Sequence, residues 1–244
     1  MNELRIILIG STGTIGRRVA RALLEEGHRL ALIGRSISKL QELVKSIGSN
    51  GDRIKCIYTA DLKDIEISKD AIAKSASCLG SLDVLINSAG VWDDTDPWRI
   101  TPEKWLEVFT INAVAPYMLS LEASKYMGEG GTIINVGCLT ATRGHRIYSG
   151  LRPSPAYLTS KVAITYLTKQ LAEVLAPMGI RVITIAPSWV YRYGMNEKLL
   201  KAIETTVPLK RPAEPDEIAE VIKIIINTKT LYITGAVIEI SGGL

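Results

Sequence analysis

Residues 7–27 read ILIGSTGTIGRRVARALLEEG: an apolar run, a turn holding three glycines, then an amphipathic stretch of helical period. Gly10, Gly13 and Gly16 stand where the strand would end and the helix begin. Glycines so placed permit a tight turn, close approach to a pyrophosphate, and close packing of helix on strand. Amide groups at the helix start, aided by the helix dipole, then bind phosphate. The candidate phosphate cradle is therefore the backbone of Gly10, Ser11, Thr12, Gly13, Thr14, Ile15 and Gly16. The alternative is a turn that uses its glycines for backbone reasons alone. Arg17 and Arg18 either assist the anion or face water.

The same alternation runs outward from this stretch to both ends. Apolar runs at 4–9, 29–33, 53–59, 83–87, 132–136, 181–186 and 236–241 predict strands. Periodic stretches at 14–26, 38–47, 65–78, 101–127, 155–176 and 215–227 predict helices. Strands without polar alternation, separated by helices, imply a parallel sheet covered on both faces. The predicted fold is α/β: one doubly wound Rossmann-type domain over residues 1–244, with seven parallel strands. Ligands of such a sheet bind beyond the carboxyl ends of the strands, so site residues are expected just after strands.

Composition narrows the function classes. With 29 basic and 25 acidic residues the net charge is +4, too slight and too scattered for a nucleic-acid footprint. His28 and His145 lie far apart, which argues against a zinc site, and no metal is expected. Cys56, Cys78 and Cys138 have no CxxC spacing and fit a reducing compartment better than a disulfide framework. No apolar run approaches the roughly 20 residues of a membrane span, and the chain enters its first strand without a leader. A cytoplasmic protein with no membrane partner is the expectation. The Ile-rich, Gln-poor composition points toward a heat-adapted source.

The second strand ends in ALIGRS, where dinucleotide folds place a carboxylate for ribose hydroxyls or a basic group for the extra phosphate of NADP. Here there is no carboxylate. Arg35, with Ser11, Thr12 and Ser36 nearby, reads as a 2′-phosphate site, favouring NADP(H) over NAD(H); the alternative is an exposed loop arginine. Further on, SPAYLTSK (154–161) opens a helix with a serine cap and a proline at the first turn. Tyr157 and Lys161 then fall one turn apart on one face. They form either a reaction couple, an ammonium making a phenol usable as acid and base, or a half-buried tyrosine beside a solvated lysine.

Together these pieces resemble the short-chain dehydrogenase/reductase family nearly end to end. The glycine turn is similar to the family's cofactor loop, and ADL offers Asp61 and Leu62 at its adenine contact. INSAG supplies Asn87, Ala89 and Gly90, FTINAVAP supplies Asn112, and AYLTSK matches the Tyr-x-x-x-Lys motif. IAPSWV puts Pro187, Ser188 and Val190 beside the nicotinamide, and KRPAEPDEIAEVI and YITGAVIEISGG match the C-terminal helix and strand. The resemblance implies hydride transfer between NADP(H) and a small-molecule carbonyl or secondary alcohol. It gives Tyr157 the proton, Lys161 the ribose and the charge that lowers the phenol, and Asn112 a water on the proton path. At about 4 Å and an effective dielectric near 20 that charge is worth roughly 4 kcal/mol. It also implies a homodimer or homotetramer packed through 101–127, 155–176 and the last strand. Members of 3-oxoacyl-carrier-protein reductase, alcohol and sugar dehydrogenase type are resembled alike.

Four departures stand out. Thr14 occupies the position of a usual glycine, as in the family's extended branch. Cys138 stands where the catalytic serine belongs, with Thr140 two residues on as an alternative hydroxyl. The stretch from Cys138 to Tyr157 is longer than usual and carries Arg143, His145, Arg146, Tyr148 and Arg152, read as a substrate mouth or a solvated basic loop. Ser188 replaces a glycine and Arg192 a threonine, ahead of a loop, 191–208, expected to cover the substrate. The missing serine leaves a second function open: a dinucleotide-binding sensor without turnover.

Overall fold

In the computed structural model, which describes residues 3–143, 153–228 and 230–244, every apolar run becomes a strand of one sheet. The strands are β1 (Arg5–Ile9), β2 (Arg29–Gly34), β3 (Ile54–Thr59), β4 (Leu82–Asn87), β5 (Met127–Val136), β6 (Arg181–Pro187) and β7 (Val237–Ile240). Their order is β3-β2-β1-β4-β5-β6-β7, and every neighbouring pair is parallel. The helices are α1 (Thr14–Glu25), α2 (Ile37–Ile47), α3 (Ile65–Leu79), α4 (Pro102–Phe109), α5 (Ala115–Ser124), α6 (Thr140–Arg143), α7 (Pro155–Leu175), α8 (Glu197–Thr206) and α9 (Pro215–Asn227).

Successive strand side chains point to opposite faces, which splits the core in two. Ile7, Ile9, Ala31, Ile33, Leu85, Ile133 and Val182 meet α3, α5 and α7 on one face. Ile6, Leu8, Leu30, Leu32, Val84, Ile86, Ile134, Ile183 and Ile185 meet α1, α2 and α9 on the other. The order in which strands are added reverses between β1 and β4, and a crevice opens at such a switch point.

Three expectations change. The helix foreseen over 101–127 is α4 and α5 joined by a π-helical turn, Thr110–Val114, and Met127 already belongs to β5. One extra residue in that turn rotates the following helix relative to the first. The loop foreseen after β6 contains α8, capped by Asn196, whose Oδ1 accepts from the Leu199 amide at 2.8 Å. Cys56 and Cys78, expected to be free, form a disulfide with Cα atoms 6.7 Å apart. The pairing spans 22 residues, so no local spacing signals it; packing of α3 against β3 brings the sulfurs together. Among the described residues no helix is long and apolar enough to cross a membrane.

Candidate active site

The glycine turn adopts the geometry its sequence demands. Gly10 has φ +77°, and a Cβ there would lie 2.5 Å from the Ala89 nitrogen. A Cβ on Gly16 would lie 2.2 Å from the Gly10 carbonyl oxygen. Any larger residue at either place has to displace backbone, because no side chain is there to yield. The Gly13 amide closes the turn on the Gly10 carbonyl at 3.0 Å, and Thr14 and Ile15 begin α1.

Around this loop several side chains have local duties. Ser11 is fully buried, and its hydroxyl donates to the Ile33 carbonyl at 3.3 Å, so its side chain holds β1 to β2. Thr12 Oγ1 lies 3.5 Å from where a Gly34 Cβ would stand, beside exposed Arg35. Ser36 caps α2, accepting from the Lys39 amide at 3.4 Å. Arg17 folds back and donates to the Thr12 carbonyl at 2.9 Å, and Arg18 pairs with Asp216 at 3.7 Å. Exposed Asp61 accepts from the Lys63 amide at 3.1 Å, and Leu62 is buried beneath it.

A cavity of about 480 Å³ opens at the carboxyl ends of β4, β5 and β6. Ile15, Ala89, Gly90, Cys138, Thr140, Tyr157, Lys161, Pro187, Ser188 and Val190 line it, so residues scattered over most of the chain meet in one place. Ser88 lines it too, and its buried hydroxyl has no partner among the described residues. Asn87 does not line it. Its amide donates to Asn135 Oδ1 at 2.8 Å, Asn135 donates to Thr168 at 3.0 Å, and Thr168 meets Thr184 at 2.8 Å. That buried polar chain ties β4, β5, α7 and β6 together under the site.

Asn112 lies on the π-helical turn and is 1 % exposed. Its Oδ1 accepts from the Val91 amide at 2.8 Å, and its Nδ2 donates to the Val91 carbonyl at 2.9 Å and to Ser160 Oγ at 3.1 Å. The side chain thus bonds backbone and fixes the loop after β4. A Cβ on Gly90 would come within 3.2 Å of Asn112 Oδ1 and 3.3 Å of Lys161 Nζ, which shows how closely the three pack.

The same loop is pinned to the start of α7. The Ser154 amide donates to the Asp93 carbonyl at 2.8 Å, and Ser154 Oγ accepts from the Tyr157 amide at 3.1 Å. Burial raises the Asp93 carboxyl, but hydroxyls of Ser154 and Thr95 outweigh it and hold the group below its ordinary range. This clamp sets Trp92 against Tyr157, ring centroids 4.7 Å apart and planes tilted by 57°.

Tyr157 and Lys161 share a face of α7, with Lys161 Nζ 6.0 Å from the phenol centroid and donating to the Val136 carbonyl at 3.1 Å. Burial, followed by the electrostatic influence and hydrogen bond of the neighbouring Cys138 sulfur, pushes Tyr157 well above its ordinary value. Burial likewise lowers Lys161, against an opposing pull from Cys138. Desolvation therefore outweighs the ammonium here, opposite to the direction expected from the Tyr–Lys couple alone. Cys138 Sγ and Thr140 Oγ1 lie 3.1 Å apart and both face the cavity, so the two candidates for the serine role form one pair.

Sequence reasoning missed part of the cavity wall. Trp92, Leu139 and Leu244 line it with no motif to mark them, whereas Trp189 stands within IAPSWV and Met195 and Leu199 come from the 191–208 loop expected to cover the substrate. Arg143 pairs with Glu239 at 2.5 Å and donates to the Leu244 carbonyl, which fastens residue 244 against the site. His145, Arg146, Tyr148 and Arg152 of the long insertion lie outside the described residues. Among the described residues no three His, Cys, Asp or Glu side chains gather as a metal site would.

Comparison with known proteins places this geometry. A family model described as enoyl-(acyl carrier protein) reductase matches residues 10–244. The 3-oxoacyl-acyl-carrier-protein reductase FabG of Rickettsia conorii is 31% identical over 244 residues, covering 98% of this chain and 95% of that one. A short chain dehydrogenase from Burkholderia cenocepacia, solved in complex with NADP, superposes with a TM-score of 0.89 at 25% identity, covering 99% of both chains. A blue fluorescent protein from a metagenomic library, in complex with NADPH, superposes with a TM-score of 0.88 at 26% identity, covering 99% of this chain and 98% of that one.

Proposed function

Because the chain belongs to the short-chain dehydrogenase/reductase family, we propose that it is an NADP(H)-dependent oxidoreductase interconverting a carbonyl and a secondary alcohol, with Tyr157 as acid and base. One observation carries the reading. A single cavity at the strand ends gathers Tyr157, Lys161, Cys138 and Thr140 next to the Ser88–Gly90 and Pro187–Val190 backbones. The site residues suit the cofactor: Cβ atoms on Gly10 and Gly16 would run into the backbone of Ala89 and Gly10, so glycine keeps the turn tight, and the orphan Ser88 hydroxyl faces the cavity. Bound there, the dinucleotide supplies or accepts hydride, which is chemistry no side chain offers.

This chain's residues supply the rest. The amides of the glycine turn and the start of α1 hold phosphate, and Arg35 takes the 2′-phosphate. Asp61 and Leu62 flank the adenine end, and Pro187, Ser188 and Val190 present backbone to the nicotinamide end. Tyr157, kept protonated by its burial, donates to a carbonyl oxygen during reduction. Lys161 binds ribose and reprotonates the phenolate, with its Val136 bond fixing the amine beside Gly90. The Cys138–Thr140 pair orients the substrate oxygen. Asn112 acts by holding Val91, and so the floor of the site, in place.

The test is to titrate NADPH by fluorescence and then follow its oxidation against a carbonyl panel. Tyr157→Phe is expected to bind NADPH unchanged and lose about 10²–10⁴-fold in kcat. The second reading, a sensor that binds NADP without turnover, draws on the thiol at Cys138 and on the Lys161 amine bonded to a backbone carbonyl. Binding without oxidation of NADPH, the same in Tyr157→Phe, would select it. A homodimer or homotetramer through α4, α5 and α7 suits the exposed Leu106 on α4 and Val162, Tyr166 and Val174 on α7. A cytoplasmic address is compatible with the Cys56–Cys78 disulfide where intracellular disulfides persist, as in heat-adapted organisms.

A further inference from the structure

The substrate half of the cavity has a composition that discriminates between carbonyl compounds. Its walls are Trp92, Leu139, Trp189, Met195, Leu199 and Leu244. Among the described residues no Asp, Glu, Asn, Gln or His side chain lines any part of it. Proteins hold polyhydroxylated ligands with such groups, because every buried hydroxyl needs an acceptor. Of the carboxylates in the loop after β4, Asp93, Asp94 and Asp96, none lines the cavity, and buried Asp93 accepts through Oδ1 from Thr95 at 2.8 Å. Two arginines do line the cavity: Arg143, paired with Glu239, and exposed Arg192.

Tyr157, Cys138 and Thr140 provide hydrogen-bonding capacity for one oxygen atom; Ser88, Lys161, Ser188, Arg143 and Arg192 are the other polar lining residues, and the wall of Trp92, Leu139, Trp189, Met195, Leu199 and Leu244 is apolar carbon and indole. The wall is also held in place from several sides: Trp92 stacks on Tyr157, while Trp189, Met195 and Leu244 pack on the Leu199–Ile203–Val207 cluster of α8. Broad rigid aromatic faces suit a flat ring better than a flexible chain.

From this we propose that the substrate is an apolar cyclic or aryl ketone, or its alcohol, with the carbonyl as its single polar group inside the cavity. The inference rests on the oxidoreductase reading above and narrows it against sugars and charged thioesters. Each substrate hydroxyl placed against this wall is expected to cost about 100-fold. Each added ring methylene is expected to improve KM by about fourfold, from apolar burial of roughly 0.8 kcal/mol.

The experiment compares kcat/KM for 1-tetralone, cyclohexanone, dihydroxyacetone, xylulose and acetoacetyl-CoA with the full chain and NADPH. The expected order has 1-tetralone first, cyclohexanone at least tenfold below it, and the ketoses lowest. Trp92→Ala and Met195→Gln are expected to shrink the tetralone-to-cyclohexanone ratio toward one while NADPH binding stays unchanged; Met195→Gln guards against a folding defect because its shape is nearly conserved. A ketose or acetoacetyl-CoA ahead of 1-tetralone overturns the proposal, as does an unaltered ratio in both variants. Calorimetric titration of 1-tetralone into NADP-loaded protein separates the two levels. Saturable binding without turnover would keep the apolar ligand and remove the chemistry, whereas turnover of polar carbonyls would keep the chemistry and remove the apolar ligand.

Discussion

The sheet divides at the β1/β4 switch into two regions that make sites by different means. From β1 to β3 the recognition surface is mostly backbone: a glycine turn, helix-start amides, and strand ends whose polar side chains are spent locally on Ile33, Lys39 and Lys63. From β4 to β7 the surface is mostly side chain, gathered from α7, the β5 and β6 ends, α8 and residue 244. A backbone site depends on what cannot be present, namely a Cβ. A side-chain site depends on which partners long-range packing supplies. The first therefore tolerates almost no substitution at Gly10 and Gly16, while the second depends on side chains that remote parts of the chain bring to the cavity.

The harshest way to break this contrast is Gly16→Ala. Its methyl would fall 2.2 Å from the Gly10 carbonyl oxygen, and a forced backbone shift in a packed core costs roughly 4 kcal/mol. The denaturation midpoint should fall accordingly, with NADPH affinity lost in whatever remains folded. Unchanged binding would mean that the loop is not a close-approach site.

A smaller effect is expected from Cys78→Ser. The disulfide ties α3 to edge strand β3 on the backbone-built side across 22 residues. Cross-linking a loop of that order contributes about 3 kcal/mol, or roughly 6–12 °C in Tm for a chain of this size. Calorimetry with and without reductant checks it, with turnover expected to be unaffected at temperatures where the variant is folded. A Tm insensitive to both would show that the bond carries no stability.

The mildest test sharpens the side-chain region. Cys138→Ser replaces a weak thiol donor by a hydroxyl within reach of Thr140, so kcat should rise by about tenfold, near 1.4 kcal/mol, at constant NADPH affinity. It also removes the sulfur whose influence helps raise Tyr157, so the alkaline limb for reduction moves to lower pH. Carbonyl reduction needs the protonated phenol, which is present below its pKa and lost above it. A fall in kcat instead would show that the thiol itself serves the reaction.

Legibility in the sequence follows the same division. All seven strands were readable because a two-faced buried strand is simply an apolar run, and the residues of the caps at Ser36, Asn196 and Ser154 are local features too. Tyr157 and Lys161 were readable as a pair because helical period puts them on one face. Asn87 shows the limit: its motif suggests a ligand contact, and only the fold shows that its amide joins the buried Asn135–Thr168–Thr184 chain. Nothing within a few residues of Asn87 tells that those partners exist.

Sequence alone settled the doubly wound sheet, its strand-end site and the glycine turn, since period, burial and turn chemistry are properties of neighbouring residues. Tertiary structure alone decided the Cys56–Cys78 bond, the saturation of Asn112 by Val91, the Val136 anchor of Lys161 and the apolar wall completed by Leu244. Each of these joins groups that are remote along the chain, and whether such groups touch depends on how helices pack on the sheet, which no short stretch encodes.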